Sequence, residues 1–84
     1  MFIYYTPVFA IGGFRHDVGV YPKYTKEMGL EGDAQHFRAS NKALILKELR
    51  KLKLPKIQIK HVDNMMKNKM GGVIDASGTF VGLC

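Results

Sequence analysis

One cysteine, three prolines and no tryptophan occur in the 84 residues of this chain, and acidic residues are scarce, seven against thirteen lysines and arginines. The lone Cys84 excludes an internal disulfide and any cysteine-based metal cluster. A reducing compartment, the cytoplasm, is the setting such cysteine usage suits, with an intermolecular disulfide through Cys84 expected only in air. Long apolar runs are missing too. Met1–Phe14 is almost wholly apolar, but Pro7, Gly12 and Gly13 interrupt it and it has no basic n-region. It is too short for a bilayer and unlike a secretory signal, so it reads as folded structure with no membrane partner. The histidines, His16, His36 and His61, show no ligand spacing such as His-x₃-His, so no metal or other cofactor is expected. Ser40 and Ser77 lack the partners of a nucleophile and read as cap and turn. With no catalytic constellation the expectation is a protein that is not an enzyme.

What is present argues for one folded domain over residues 1–84. The apolar fraction is 46%, with aromatics and branched aliphatics well represented. A chain of this size buries roughly 60–65% of the surface its unfolded form exposes. Stability is then modest, and a homodimer that buries more apolar surface is a natural expectation.

The positive charge is unevenly placed. Between Arg38 and Lys69 ten basic residues face only Glu48 and Asp63, for a local charge of +8; residues 1–37 and 70–84 carry −1 each, giving the overall +6. Such a field concentrates and steers polyanions. The sequence therefore points to a small binding protein whose basic segment contacts the backbone of nucleic acid, DNA or RNA, or a nucleoprotein machine. The alternative is a protein-interaction module docked on an acidic partner protein. Short, Lys- and Met-rich single domains of this kind also occur among accessory proteins of viruses and mobile elements. The candidate phosphate contacts are Lys42, Lys47, Arg50, Lys51, Lys53, Lys56, Lys60, Lys67 and Lys69, with His61 and Asn64 as candidates for base edges.

The fold class expected is α+β, a small antiparallel sheet from N-terminal and C-terminal hairpins packed with one main helix and a short second one. Phe2–Ile11 is β-prone, with Pro7 marking an edge or a bulge. Gly12-Gly13 suits a two-residue turn, and Phe14, His16, Val18 and Val20 alternate with polar residues up to Tyr21. Residues 24–32 read as a loop with at most a helical turn. Ile45, Leu46, Leu49 and Leu52 recur at helical spacing, predicting an amphipathic helix over about 41–54, capped by Asp33 or Ser40 and ended by Leu54-Pro55. Ile57 and Ile59 alternate with Lys56, Gln58 and Lys60, predicting a short extended segment there. A second helix is expected over about 62–70, closed by Gly71-Gly72. Val73-Ile74, the turn Asp75–Gly78 and Thr79–Val81 form the last hairpin.

The order helix, short segment, helix and hairpin across 41–83 resembles a compressed winged helix-turn-helix. In that reading His61–Met70 is the recognition helix, and His61, Asn64, Lys67 and Asn68 meet base edges or phosphates. Leu54 and His61 are seven positions apart, too few for a middle helix, and the wing lacks a basic residue. The aromatics gather in the near-neutral N-terminal third, which favours packing over base stacking. Tyr4, Tyr5, Tyr21 and Tyr24 are the ones suited to exposure, and exposed as a cluster they equally suit a protein-binding patch.

Overall fold

Two long strands, β1 (Phe2–Ala10) and β2 (Gly13–Tyr21), pair antiparallel over their whole length in the computed structural model, which describes residues 1–82. Cys84, and the expectation attached to it, lie outside the described residues. The turn is Ile11-Gly12, one residue earlier than Gly12-Gly13, and Gly13 takes φ +119° as the first residue of β2. Three more strands complete a five-stranded antiparallel sheet: β5 (Gln35–Ala39) outside β2, then β6 (Gly72–Ile74) and β7 (Phe80–Gly82) outside β1. The remaining two, β3 (Lys23–Thr25) and β4 (Gly29–Glu31), form a separate small hairpin where a loop was expected. β6 pairs with β1 only at Ile3–Tyr5, so Pro7 lies where β1 has no second neighbour and its missing N–H breaks no ladder on that side.

Period-two alternation assigns the faces. Ile3, Tyr5, Val18, Val20 and Ile74 point to one side and are at most 2% exposed. Two helices cover that side, α1 (Lys42–Lys51) and α2 (Lys56–Asn68), burying Ile45, Leu46 and Leu49 from the first and Gln58, Val62 and Met66 from the second. Tyr5, one of the four tyrosines suited to exposure, is instead fully buried among them, its hydroxyl 2.7 Å from Nδ1 of His16. The α+β expectation therefore holds, with corrections inside it. Residues 56–60 are the first turns of α2 and not a strand. Ile57 is 51% exposed while Gln58, Val62 and Met66 form the buried i, i+4, i+8 stripe, so the Ile57/Ile59 alternation carries no face. β5 was missed because only Phe37 and Ala39 of its five residues pack on the core. The cap of α1 is Asn41, whose Oδ1 accepts from the Ala43 amide at 2.9 Å, and not Asp33 or Ser40.

The last hairpin forms as expected. Asp75 Oδ1 accepts from the Ser77 hydroxyl at 2.6 Å and from the Ser77 and Thr79 amides at 2.9 and 3.0 Å, and these bonds, the Ser77 hydroxyl foremost, hold its carboxyl below the usual range. Gly78 turns at φ +84° against the His61 ring, a position with no room for a side chain.

His16 is a buried titratable group at 6% exposure, edge-on to Phe14 at 4.7 Å. Burial first, then the charges of Lys69 and Lys42, hold its imidazole below its ordinary value of 6.5. The folded protein therefore resists a proton that the unfolded chain accepts. Stability is full above the unfolded value and is lost as pH falls below it toward the folded one. The thermal midpoint is expected to drop between about pH 7 and about pH 5, and His16→Gln should flatten that dependence. A midpoint equally pH-dependent in wild type and variant would refute the assignment.

Candidate nucleic-acid interface

α1 and α2 are joined by the short segment Leu52–Pro55 and run antiparallel. Arg50 lies near Lys56 at one end of the pair, and Lys42 bonds Asp63 at the other. Along α2 the buried stripe of Gln58, Val62 and Met66 fixes the rotation. Lys56, Lys60 and Lys67 fall together on the flank turned toward α1, within about 40° of one another at 100° per residue. His61, Asn64 and Asn68 fall on the opposite flank. Between the helices is an open groove of about 430 Å³ lined by Leu46, Arg50, Lys56, Ile59, Lys60 and Asp63. Its floor is aliphatic and its rim cationic.

The charges of this region divide into paired and unpaired. Lys42 Nζ lies 2.7 Å from Asp63 Oδ1, and Lys51 Nζ lies 3.3 Å from Glu48 Oε1 one helical turn away. Those two contacts take up both acidic residues of the segment. Lys47, Arg50, Lys53, Lys56, Lys60 and Lys67 are all exposed and have no acidic partner among the described residues. Their charge is left to act on the solvent side.

Several of these side chains occupy places the backbone does not favour. Lys56 stands in the first turn of α2, which holds no acidic residue, so its charge opposes the positive end of the helix dipole. Lys53 and Lys69 follow the ends of α1 and α2 in the left-handed region, at φ 55° and 54°, where glycine is the usual occupant. Lys69 also places its ammonium 4.6 Å from the centre of the Phe14 ring.

The predicted residues thus separate into groups. Arg50, Lys56 and Lys60 converge on the groove, and Lys67 shares the flank of Lys56 and Lys60. Lys47 lies on the exposed side of α1 next to Arg50. Lys42 and Lys51 are held by carboxylates. Lys53 sits in the connection between the helices, and Lys69 under the β1–β2 hairpin. His61 and Asn64 belong to a different, shallow depression of about 150 Å³ with Met65, Asn68, Met70 and Phe80. The winged arrangement is absent: α2 packs on the sheet through its buried stripe, and the Asp75–Gly78 turn folds back against His61 of the same helix.

Arg38, counted with the basic stretch, lies on the far side of the sheet, its Nε 3.4 Å from Asp17 Oδ1. Sequence reasoning missed what surrounds it there. The alternation of β2 and β5 carried the signal, but β5 had not been read as a strand. Among the described residues no group of three or more His, Cys, Asp or Glu converges as a metal site, and no helix is long and apolar enough to cross a membrane. No family model matches this sequence, and no curated protein or solved structure matches it either.

Proposed function

We propose that this protein binds the phosphate backbone of nucleic acid through its helical face, without catalysing a reaction. The observation that carries the reading is the convergence of Arg50, Lys56 and Lys60, unpaired, on one groove between the helices. Arg offers a planar fork to phosphate oxygens and the lysines act as mobile point charges, so the groove follows a backbone without reading its sequence. The aliphatic floor of Leu46 and Ile59 holds the helices together beneath it. Lysines in two left-handed positions and at the start of a helix support the same reading, because each gives up local stability to place a cation outside.

The test is oligonucleotide binding as a function of salt. Affinity is expected to fall linearly on a log–log scale, with a slope of about −0.9 per phosphate contacted on a duplex. The Lys53→Gly variant adds a second arm. It should melt higher, by about 0.5–1 kcal/mol of added stability, and yet bind more weakly by close to one contact in slope. Wild-type protein that binds no oligonucleotide at low salt, and that instead co-purifies with an acidic protein in fixed ratio, would replace this reading with the protein-docking one.

A further inference from the structure

The sheet has a second face, and the helices leave it open. Its residues alternate with the core: Tyr4, Thr6, Val8 and Ala10 from β1, Arg15, Asp17, Gly19 and Tyr21 from β2, His36 and Arg38 from β5. The β3–β4 hairpin shields one end, where Tyr24 packs on Phe2 at 5.8 Å and against Gly82. The rest faces solvent. An open antiparallel face is ordinarily polar, but this one carries rings and arginines.

Gly19 lies at the centre of the rings. A side chain there would come within 3.0–3.1 Å of Tyr4, Tyr21 and His36, so the glycine gives the three rings room to close over it. His36 is exposed and meets Tyr21 edge-on at 5.5 Å, with the Tyr21 hydroxyl 3.0 Å from Nε2. Next to the rings, Asp17 is buried to 6% exposure. Its Oδ2 accepts from the Tyr4 hydroxyl at 3.1 Å, and its Oδ1, which has no hydrogen bond among the described residues, faces Arg38 Nε at 3.4 Å. Asp17 therefore holds the base of Arg38 while leaving the outer guanidinium nitrogens to solvent. Arg15, with no acidic partner among the described residues, stands on the same hollow of about 320 Å³, floored by Val8 and Ala10.

We propose that this face is a second binding site, for a single-stranded segment of nucleic acid, with bases lying on the Tyr21–His36 surface and a phosphate held between Arg15 and Arg38. Arg38 follows His36 by two residues on β5 and shares its hollow with Arg15, so rings and guanidinium groups succeed one another along the strands as bases and phosphates do along a single-stranded segment, an arrangement that offers nothing to a stacked duplex. A duplex keeps its base faces covered and meets only the helical groove on the other side of the molecule. An acidic protein surface would use the arginines and leave the rings idle. Taking nucleic acid as the ligand rests on the helical-face reading, whereas the platform itself does not.

Binding of a short oligonucleotide, in ribose and deoxyribose forms, is compared with binding of the matched duplex. The proteins are wild type, Arg15→Gln/Arg38→Gln and Tyr21→Leu/His36→Leu. Both double variants are expected to lose about tenfold or more in single-strand affinity while duplex affinity stays within about twofold. The two sugar forms show whether the 2′-hydroxyl contributes. Melting curves confirm that the variants fold. Single-strand affinity unchanged in both variants, or single-strand and duplex affinity falling together, overturns the site and leaves the helical-face reading standing. Wild-type protein that binds neither form overturns both.

Discussion

Replacing Arg50, Lys56 and Lys60 together by glutamate is expected to abolish measurable duplex binding at about 0.1 M salt and to leave the protein folded. All three side chains are exposed and unpaired among the described residues, so no native ion pair breaks and no buried group loses a partner. Exposed charges of this kind contribute within about 0.5 kcal/mol of stability in either direction. At Lys56 the change is favourable, since an acidic residue in the first turn of α2 complements the helix dipole by about 0.3–1 kcal/mol. The new glutamates line the same groove as Asp63, and that repulsion offsets part of the gain. Binding, in contrast, loses three cationic contacts and acquires three like charges against the phosphates. The milder glutamine triple should retain weak binding with a salt slope shallower by about 2.7, the share of three contacts. A glutamate triple that binds duplex as tightly as wild type, with an unchanged melt, would show that the groove is not the contact surface.

Gln58→Ala is expected to destabilise the fold by about 2–4 kcal/mol, the largest effect of any single polar substitution here. Gln58 is fully buried in the first turn of α2, and its Nε2 donates both to the Met1 carbonyl at 2.9 Å and to the Asp75 carbonyl at 3.0 Å. One amide thus ties α2 to the residue before β1 and to the residue after β6, fixing the helix against two strands. Truncation orphans two part-buried carbonyls and leaves a cavity, each a separate penalty. Gln58→Leu fills the volume and also removes Oε1, which has no hydrogen-bond partner among the described residues, so its cost should be smaller, about 1–2 kcal/mol. For a domain of this length the alanine change lowers the melting temperature by roughly 10–25 °C. Urea denaturation of the three proteins measures the order. An alanine variant as stable as wild type would mean that the amide does not join these elements.

Gln58 also shows why the chain was legible in some places and not in others. Read along the sequence, Lys-Ile-Gln-Ile-Lys places two isoleucines at strand spacing with polar residues between. The structure buries the glutamine and exposes Ile57, because two carbonyls from distant strands needed a donor at that depth. No local preference encodes that need. The β1–β2 hairpin was readable for the opposite reason. Its partners are neighbours in the chain, and Val18 and Val20 alternate cleanly against Ile3 and Tyr5. The aliphatic positions of α1 were equally plain, since Ile45, Leu46 and Leu49 mark a buried stripe at helical spacing. β5, with one large apolar residue in five, had no such mark and exists because β2 offers it an edge.

For the candidate sites the division is similar. The excess of lysine and arginine between residues 38 and 69 is a property of composition, and it alone determined that this protein carries a strongly cationic region. Which cations act together was decided by the tertiary structure. The helical hairpin brings Arg50 to Lys56 and Lys60, while Asp63 neutralises Lys42 from across the groove. The sheet carries Arg38 to the far side, beside Asp17 and on the face of His36. Charge is counted along a chain, but its partners are set by distances of a few ångströms between segments far apart in sequence, and only packing fixes those.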